Sequence, residues 1–325
     1  VTAAKSRPAL FISWSIQHGR SRDLAAALGA EPVYVGIRRK RRRWLTPARY
    51  VLAALATARI LLARRPRAIF VMQPPVPLAV LALVYGRVAG VPVALDAHTG
   101  AALAMRTGRP RRSLPLLSRF ATVTIVTNSQ LAEPLRATGK RVVTLHDAPI
   151  AALATHGHAG EFTVVAPLSW AADEPFEDIV AAARLCPDVA FVATGRAPAA
   201  VRERTDLPAN LRLAGFLDAA AFDELMASAG VVLALTTRDA TMQRAGYEAI
   251  ALGRPVIASD TRVLREYFGD AALYAADGEQ LAKAVAETRV RRVELAQAMQ
   301  ARRDEVRAEF ARGIAQLTAA MGLDP

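Results

Sequence analysis

Arg244 and Glu248 stand four residues apart, just inside a helical run that follows a strand-like segment, Val231 to Thr236. On a helix that spacing puts both side chains on one face. The polar loop Thr237 to Thr241 leads into the helix, which is expected to open near Met242. The first N–H groups of a helix lack intrahelical partners and carry the positive end of its dipole, so they favour an anion. Gln243 and Arg244 fall in that first turn, and the planar guanidinium of Arg244 suits a phosphate. Glu248 can accept both hydroxyls of a ribose, or simply pair with Arg244 across one turn. Asp239, Thr241 and Met242 complete the approach to the same ligand. Upstream, Gly195 lets the chain turn close to a phosphate, and Arg196 offers either a second cation for it or a surface charge. The Ser169 hydroxyl suits a phosphate or a helix cap. Phe216 suits the wall of a base pocket or the core.

A second group has the chemistry of proton transfer. Asp96 and His98 follow the strand-like Pro92 to Leu95, and His18 follows the first strand. A histidine exchanges a proton near neutral pH, and Asp96 could orient His98 or take the proton of an attacking hydroxyl. Turn capping is the structural alternative for His98. The remaining histidines, His146, His156 and His158, have no metal-ligand spacing, and no metal site is expected.

The elements that must position these residues alternate between strand and helix. Apolar runs at 9–14, 32–35, 68–72, 92–95, 122–127 and 141–145 read as strands, with helices at 21–28, 46–63 and 78–88. The second half repeats the pattern, with strands at 162–166, 189–194, 211–214, 231–236 and 255–259. Its helices fall at 176–185, 219–228, 242–252 and from 280 onward. Continuous apolar strands between helices predict parallel sheets covered on both faces. The expected fold class is therefore α/β, two doubly wound Rossmann-like domains facing a cleft. The first spans 1–148, a linker with Pro149, Gly157 and Gly160 spans 149–161, and the second spans 162–325 with a C-terminal helix able to pack back on the first. Ligands of such sheets lie at the carboxyl ends of the strands.

The segment from Leu235 to Asp270 resembles the donor-binding core of glycosyltransferase family four. Glu248 stands at the second Glu of that family's motif, and Ala249, Gly253 and the run Pro255 to Ser259 fit its tail. The strings at 173–179, 194–196 and 213–218 have the family's spacing. Serine-tryptophan at 169–170 and the run from Thr236 to Arg244 are similar to a subgroup of bacterial transferases of surface polysaccharides and glycolipids. The resemblance implies the GT-B fold, with the acceptor on the first domain. It implies a retaining transfer from a UDP- or GDP-sugar, Glu248 on the ribose, and arginines in place of a metal. Two positions depart from the pattern. Ala240 stands where the family's first Glu binds the donor sugar, with Asp239 beside it as a substitute. The stretch Pro167 to Phe176 lacks the family's basic phosphate clamp, which leaves the charge to Arg196 or Arg244. A nucleotide-sugar 2-epimerase of the same fold and a non-catalytic partner subunit are the competing readings.

Charge points to the partner. The net charge is +13, but residues 1–150 carry 24 basic and 5 acidic side chains, and the second half is net acidic. A basic half calls for an anionic partner such as a membrane surface, an acidic lipid or a nucleic acid. The run Arg38, Arg39, Lys40, Arg41, Arg42, Arg43 meets Trp44 and an apolar helix, with Arg109, Arg111 and Arg112 beyond. That composition suits a membrane surface or a solvated basic face. Nucleic-acid motifs are missing among the basic runs. A lipid-linked or polysaccharide acceptor at the inner face of a membrane, reached from the cytoplasm, fits this distribution. The uncharged stretch 68–86 has the length of a membrane span, but Pro74, Pro75 and Pro77 divide it into a strand, a turn and a helix. No cleavable signal is read at the start. The one cysteine, Cys186, excludes a disulfide framework and reads as a buried thiol.

Overall fold

The computed structural model describes residues 7–15, 19–36, 46–97, 113–137, 139–150 and 161–323. The chain divides into two compact units, 1–148 with 309–325, and 149–308. Residues 309–325, expected with the second domain, thus belong to the first unit.

Unit one runs β1 (Ala9–Ser13), α1 (Gly19–Ala27), β2 (Glu31–Tyr34), α2 (Thr46–Arg64), β3 (Ala68–Gln73), α3 (Val76–Ala89), β4 (Val93–Ala97), α4 (Ser113–Ser118), β5 (Val123–Val126), α5 (Ser129–Arg136) and β6 (Val142–Thr144). All six strands are parallel, in the order β2-β1-β3-β4-β5-β6. Alternate residues of each strand enter different cores. Phe11 and Phe70 stack on the side of α1. Ile12, Ile69 and Leu95 face the other side, under Leu61 of α2, Leu78 of α3 and Leu117 of α4. Burial on both faces explains why these strands read as continuous apolar runs. The prolines at 74–77 act as the sequence suggested. Pro75 precedes α3, and Pro77 sits in its first turn, where a missing N–H costs no hydrogen bond. Among the described residues no helix is long and apolar enough to cross a membrane.

Unit two runs β7 (Thr163–Ala166), α6 (Phe176–Leu185), β8 (Ala190–Thr194), α7 (Ala199–Arg202), β9 (Leu211–Gly215), α8 (Ala219–Ser228), β10 (Val231–Ala234), α9 (Arg244–Leu252), β11 (Val256–Ser259), α10 (Arg262–Phe268), β12 (Ala272–Ala275), α11 (Gly278–Val290) and α12 (Arg292–Ala320). Its sheet is also parallel, ordered β12-β11-β10-β7-β8-β9. The helix expected from 280 onward is two helices. The last of them extends into unit one, where Leu317 and Met321 join the core. The order of connection reverses between β7 and β10, so the crevice at their carboxyl ends is this sheet's ligand position.

Candidate functional site

Two loops flank that crevice, the one after β7 and the one after β10, and Asp173 ties them together. Its side chain is buried. Oδ2 accepts from Thr236 Oγ1 at 3.0 Å, and Oδ1 meets the Arg238 guanidinium at 3.3 Å. The Asp173 carbonyl accepts the Thr237 N–H at 2.7 Å. Glu174 closes the first loop on itself, accepting from the N–H and hydroxyl of Ser169 and from the N–H of Ala171. Ser169 therefore stands in this site with its hydroxyl already held by a carboxylate. Trp170 adopts a left-handed φ of 62° and donates from Nε1 to the Thr194 carbonyl at 3.0 Å. That bond joins the β7 loop to the end of β8.

The residue just past β8, Gly195, explains why the loops approach so closely. Its φ is 88°, and a Cβ there would lie 2.0 Å from the Leu168 carbonyl oxygen. Only glycine fits such a conformation and contact. Its N–H donates to the Gly215 carbonyl at 2.8 Å, drawing the ends of β8 and β9 together. There Gly195, Arg196, Arg202 and Phe216 line one pocket of about 550 Å³. The Arg196 guanidinium lies 4.9 Å over the exposed Phe216 ring, a cation–π arrangement that leaves the ring's other face open. Three of the predicted residues, Gly195, Arg196 and Phe216, are thus brought together. Phe216 is pocket wall, not core.

Across β7 lies the start of α9. The helix opens two residues later than Met242, with Gln243 as N-cap in extended conformation and Arg244 as its first residue. Thr241 and Met242 belong to the preceding loop, half-buried. The delay follows from Gln243, whose extended backbone (φ −90°, ψ 134°) makes it the cap rather than a helical residue; Ala240, in the loop before it, has a left-handed φ of 58°. Its methyl is buried, so this position offers the site no functional group. Asp239 lines a different pocket, of about 300 Å³, with Thr236, Thr237, Ser259 and Asp260 at the ends of β10 and β11. It is not grouped with Gly195, Arg196 and Phe216. Arg244 Nε donates to Glu248 Oε1 at 2.8 Å. The pair is asymmetric, because Arg244 is exposed while the Glu248 side chain is 18% accessible. Burial pushes the Glu248 carboxyl above its ordinary pKa, against the pull of Arg244. A carboxylate held in a half-buried slot beside an exposed cation is suited to a polyol next to a phosphate.

In unit one the structure corrects the reading of Asp96. Its side chain is fully buried. It accepts from Arg20 Nε and NH2, the closest approach being 2.9 Å. Arg20 also meets Asp147 at 2.7 Å and donates to the Leu145 carbonyl. Burial pulls the Arg20 pKa down, but the two carboxylates outweigh it and raise it well above its ordinary value. Asp96 is therefore a brace between α1 and the ends of β4 and β6, with no lone pair turned to solvent for a hydroxyl. His18, His98 and the basic run Arg38 to Trp44 lie outside the described residues. Among the described residues no group of three His, Cys, Asp or Glu side chains could hold a metal. Cys186 is buried, as expected.

Sequence reasoning missed Asp173, Glu174 and Trp170 as positioning residues, and Arg20 as the partner of Asp96. Their signal was present, since an acidic pair in a loop with no basic residue needs partners elsewhere. Long-range pairing, however, is not written in local spacing.

Comparison with known proteins bears on the fold and on the second unit. Residues 155–289 match the family described as glycosyl transferases group 1. Among solved structures, Alr3699/HepE from Anabaena in complex with UDP-glucose is similar at 15% identity and a TM-score of 0.71, over 96% of this chain and 98% of that one. Sucrose-phosphate synthase from Thermosynechococcus elongatus matches at 15% identity and a TM-score of 0.70, over 96% and 98%. A candidate UDP-N-acetylglucosamine 2-epimerase from Listeria monocytogenes matches at 14% identity and a TM-score of 0.67, over 98% of both chains. None of the curated proteins matches. The second unit thus carries the match to the glycosyl transferases group 1 family, and the whole chain has the GT-B fold.

Proposed function

We propose that this chain is a glycosyltransferase that moves a sugar from a UDP-sugar to a lipid-linked or polysaccharide acceptor at a membrane, with retention of configuration and without a metal. The observation that carries the donor assignment is the half-buried Glu248 beside Arg244 at the opening of α9, across β7 from the Arg196–Phe216 pocket. In this reading the base lies against Phe216, Glu248 accepts the ribose hydroxyls, and the diphosphate lies near Gly195 and the first turn of α9. Arg196 and Arg244 meet the charge that grows on the departing diphosphate, the role a metal plays in other transferases. Similar folds solved with UDP and UDP-glucose support uridine over guanosine as the base. The buried methyl of Ala240 leaves sugar recognition to other groups. The strongly basic first half supports an acceptor held at an anionic surface.

A thermal-shift screen against UDP- and GDP-sugars tests the donor. Stabilisation by UDP-sugars is expected, and a flat response to the whole panel contradicts the assignment. Transfer should persist in EDTA. The likeness to the Listeria structure keeps a 2-epimerase as the second reading. Incubation with UDP-sugar and no acceptor separates the two, because only an epimerase then converts the donor.

A further inference from the structure

We propose that the outer face of α2, α3 and α4, with the groove between α3 and α4, docks onto an anionic lipid bilayer. The three helices cover the same side of the unit-one sheet, since Leu61, Leu78 and Leu117 all enter one core. Their opposite faces therefore form one outer surface. That surface is apolar where a soluble helix is polar. On α3, Val76, Val80, Val84 and Val88 recur every four residues, and exposure climbs along the helix to 84% at Val88. On α2, Val51, Leu52, Leu55 and Leu62 are exposed, Leu52 to 67%. Leu116 and Phe120 continue the face on and just after α4, with Phe120 71% exposed. Between α3 and α4 lies a groove of about 630 Å³, lined by Val84, Val88, Leu116 and Phe120 among others. Helices apolar on both faces need a second apolar phase.

Charge identifies the phase. Residues 32–132 contain seventeen Lys and Arg and a single acidic residue, Asp96, which is buried against Arg20. Arginines sit within the apolar face itself. Arg59 lies between Leu55 and Leu62, Arg87 lines the groove, and Arg119 precedes Phe120. Long cationic side chains at such a boundary extend to phosphate headgroups while their neighbours enter the acyl region. A second copy of this chain would bring arginines against arginines, which opposes self-association. An acidic protein would satisfy the charges but not a hydrocarbon-lined groove. The inference rests on the membrane reading proposed above.

The test is flotation of the full chain with phosphatidylglycerol-containing and pure phosphatidylcholine vesicles, at low and high salt. The variants are Val84→Ser/Val88→Ser/Phe120→Ser and, separately, Arg38→Ser/Arg39→Ser/Lys40→Ser/Arg41→Ser/Arg42→Ser/Arg43→Ser. The wild type is expected to bind anionic vesicles and to weaken with salt. The apolar variant should bind on the order of tenfold more weakly or less, as apolar area leaves the acyl region. Circular dichroism and UDP affinity serve as the fold controls and should not change. Wild-type vesicle binding by that variant overturns the proposal. If only serine at 38–43 abolishes binding, the membrane reading stands and this face is not the dock. Concentration-dependent dimerisation lost in the apolar variant would assign the face to a second copy instead and overturn the lipid proposal. A UDP response without vesicle binding overturns the lipid proposal and leaves the donor reading intact.

Discussion

Replacing Asp96 by asparagine separates a brace from a catalytic base. The substitution keeps the size of the side chain and removes its charge. Arg20 loses the carboxylate that meets both Nε and NH2, and keeps Asp147 at 2.7 Å and the Leu145 carbonyl at 3.0 Å. Breaking a buried ion pair on one side costs about 3–5 kcal/mol, because the remaining charge stays desolvated. The surviving Asp147 contact, itself partly accessible, places the cost at the lower end, about 3 kcal/mol. For a unit of this size each kcal/mol moves Tm by about 2–4 °C, so a fall of about 6–12 °C is expected. Scanning calorimetry reads it directly, and near-ultraviolet circular dichroism reports the packing of Phe11 and Phe70 in the core that α1 covers. Sugar transfer measured well below the new Tm should be largely retained. A Tm within 2 °C of wild type combined with lost transfer refutes the brace and returns Asp96 to the role of proton acceptor.

Three further outcomes follow from the site. Gly195→Ala places a methyl against the Leu168 carbonyl at a left-handed φ, so a loss of at least about 2 kcal/mol of stability together with weaker UDP binding is expected. Unchanged melting and affinity would mean that the two loops are not in contact. Asp173→Ala leaves the Thr236 hydroxyl and Arg238 without their carboxylate, at a cost of about 1–3 kcal/mol. Calorimetric titration should show UDP affinity falling while Arg196→Ala at the neighbouring pocket lowers it independently. Glu248→Gln tests the raised pKa of that carboxyl. A raised pKa means the folded state binds the proton more tightly than the unfolded chain, so this residue's contribution falls as pH rises through the ordinary carboxyl range and above. The glutamine variant should therefore melt above wild type at pH 8, with the advantage shrinking by pH 4. An equal advantage at both pH values contradicts a buried carboxylate.

The layout of both sheets was legible because each strand is covered on two faces and therefore reads as an uninterrupted apolar run, as at Ile69–Val71 and Val231–Leu233. Short elements escaped notice. β12 is Ala272–Ala275, with no β-branched residue, and α5 carries Pro134 inside it. Their stability comes from packing on neighbours rather than from local preference. Within the site, Arg244, Glu248, Gly195, Arg196 and Phe216 were visible from type and spacing. The start of α9 was misplaced because nothing local announces the extended Gln243 that caps it without a side-chain hydrogen bond. Asp96 was misread because its partner Arg20 lies 76 residues away. A carboxylate at a strand end serves catalysis or structure according to what faces it, and that is a tertiary fact.

Titration calorimetry of UDP into the wild-type chain and into Glu248→Ala tests the central claim most directly. The account predicts measurable binding by the wild type and its loss in the variant, with melting of the unliganded variant no lower than that of the wild type. Equal UDP affinity in both proteins would contradict the assignment of Glu248 to the ribose.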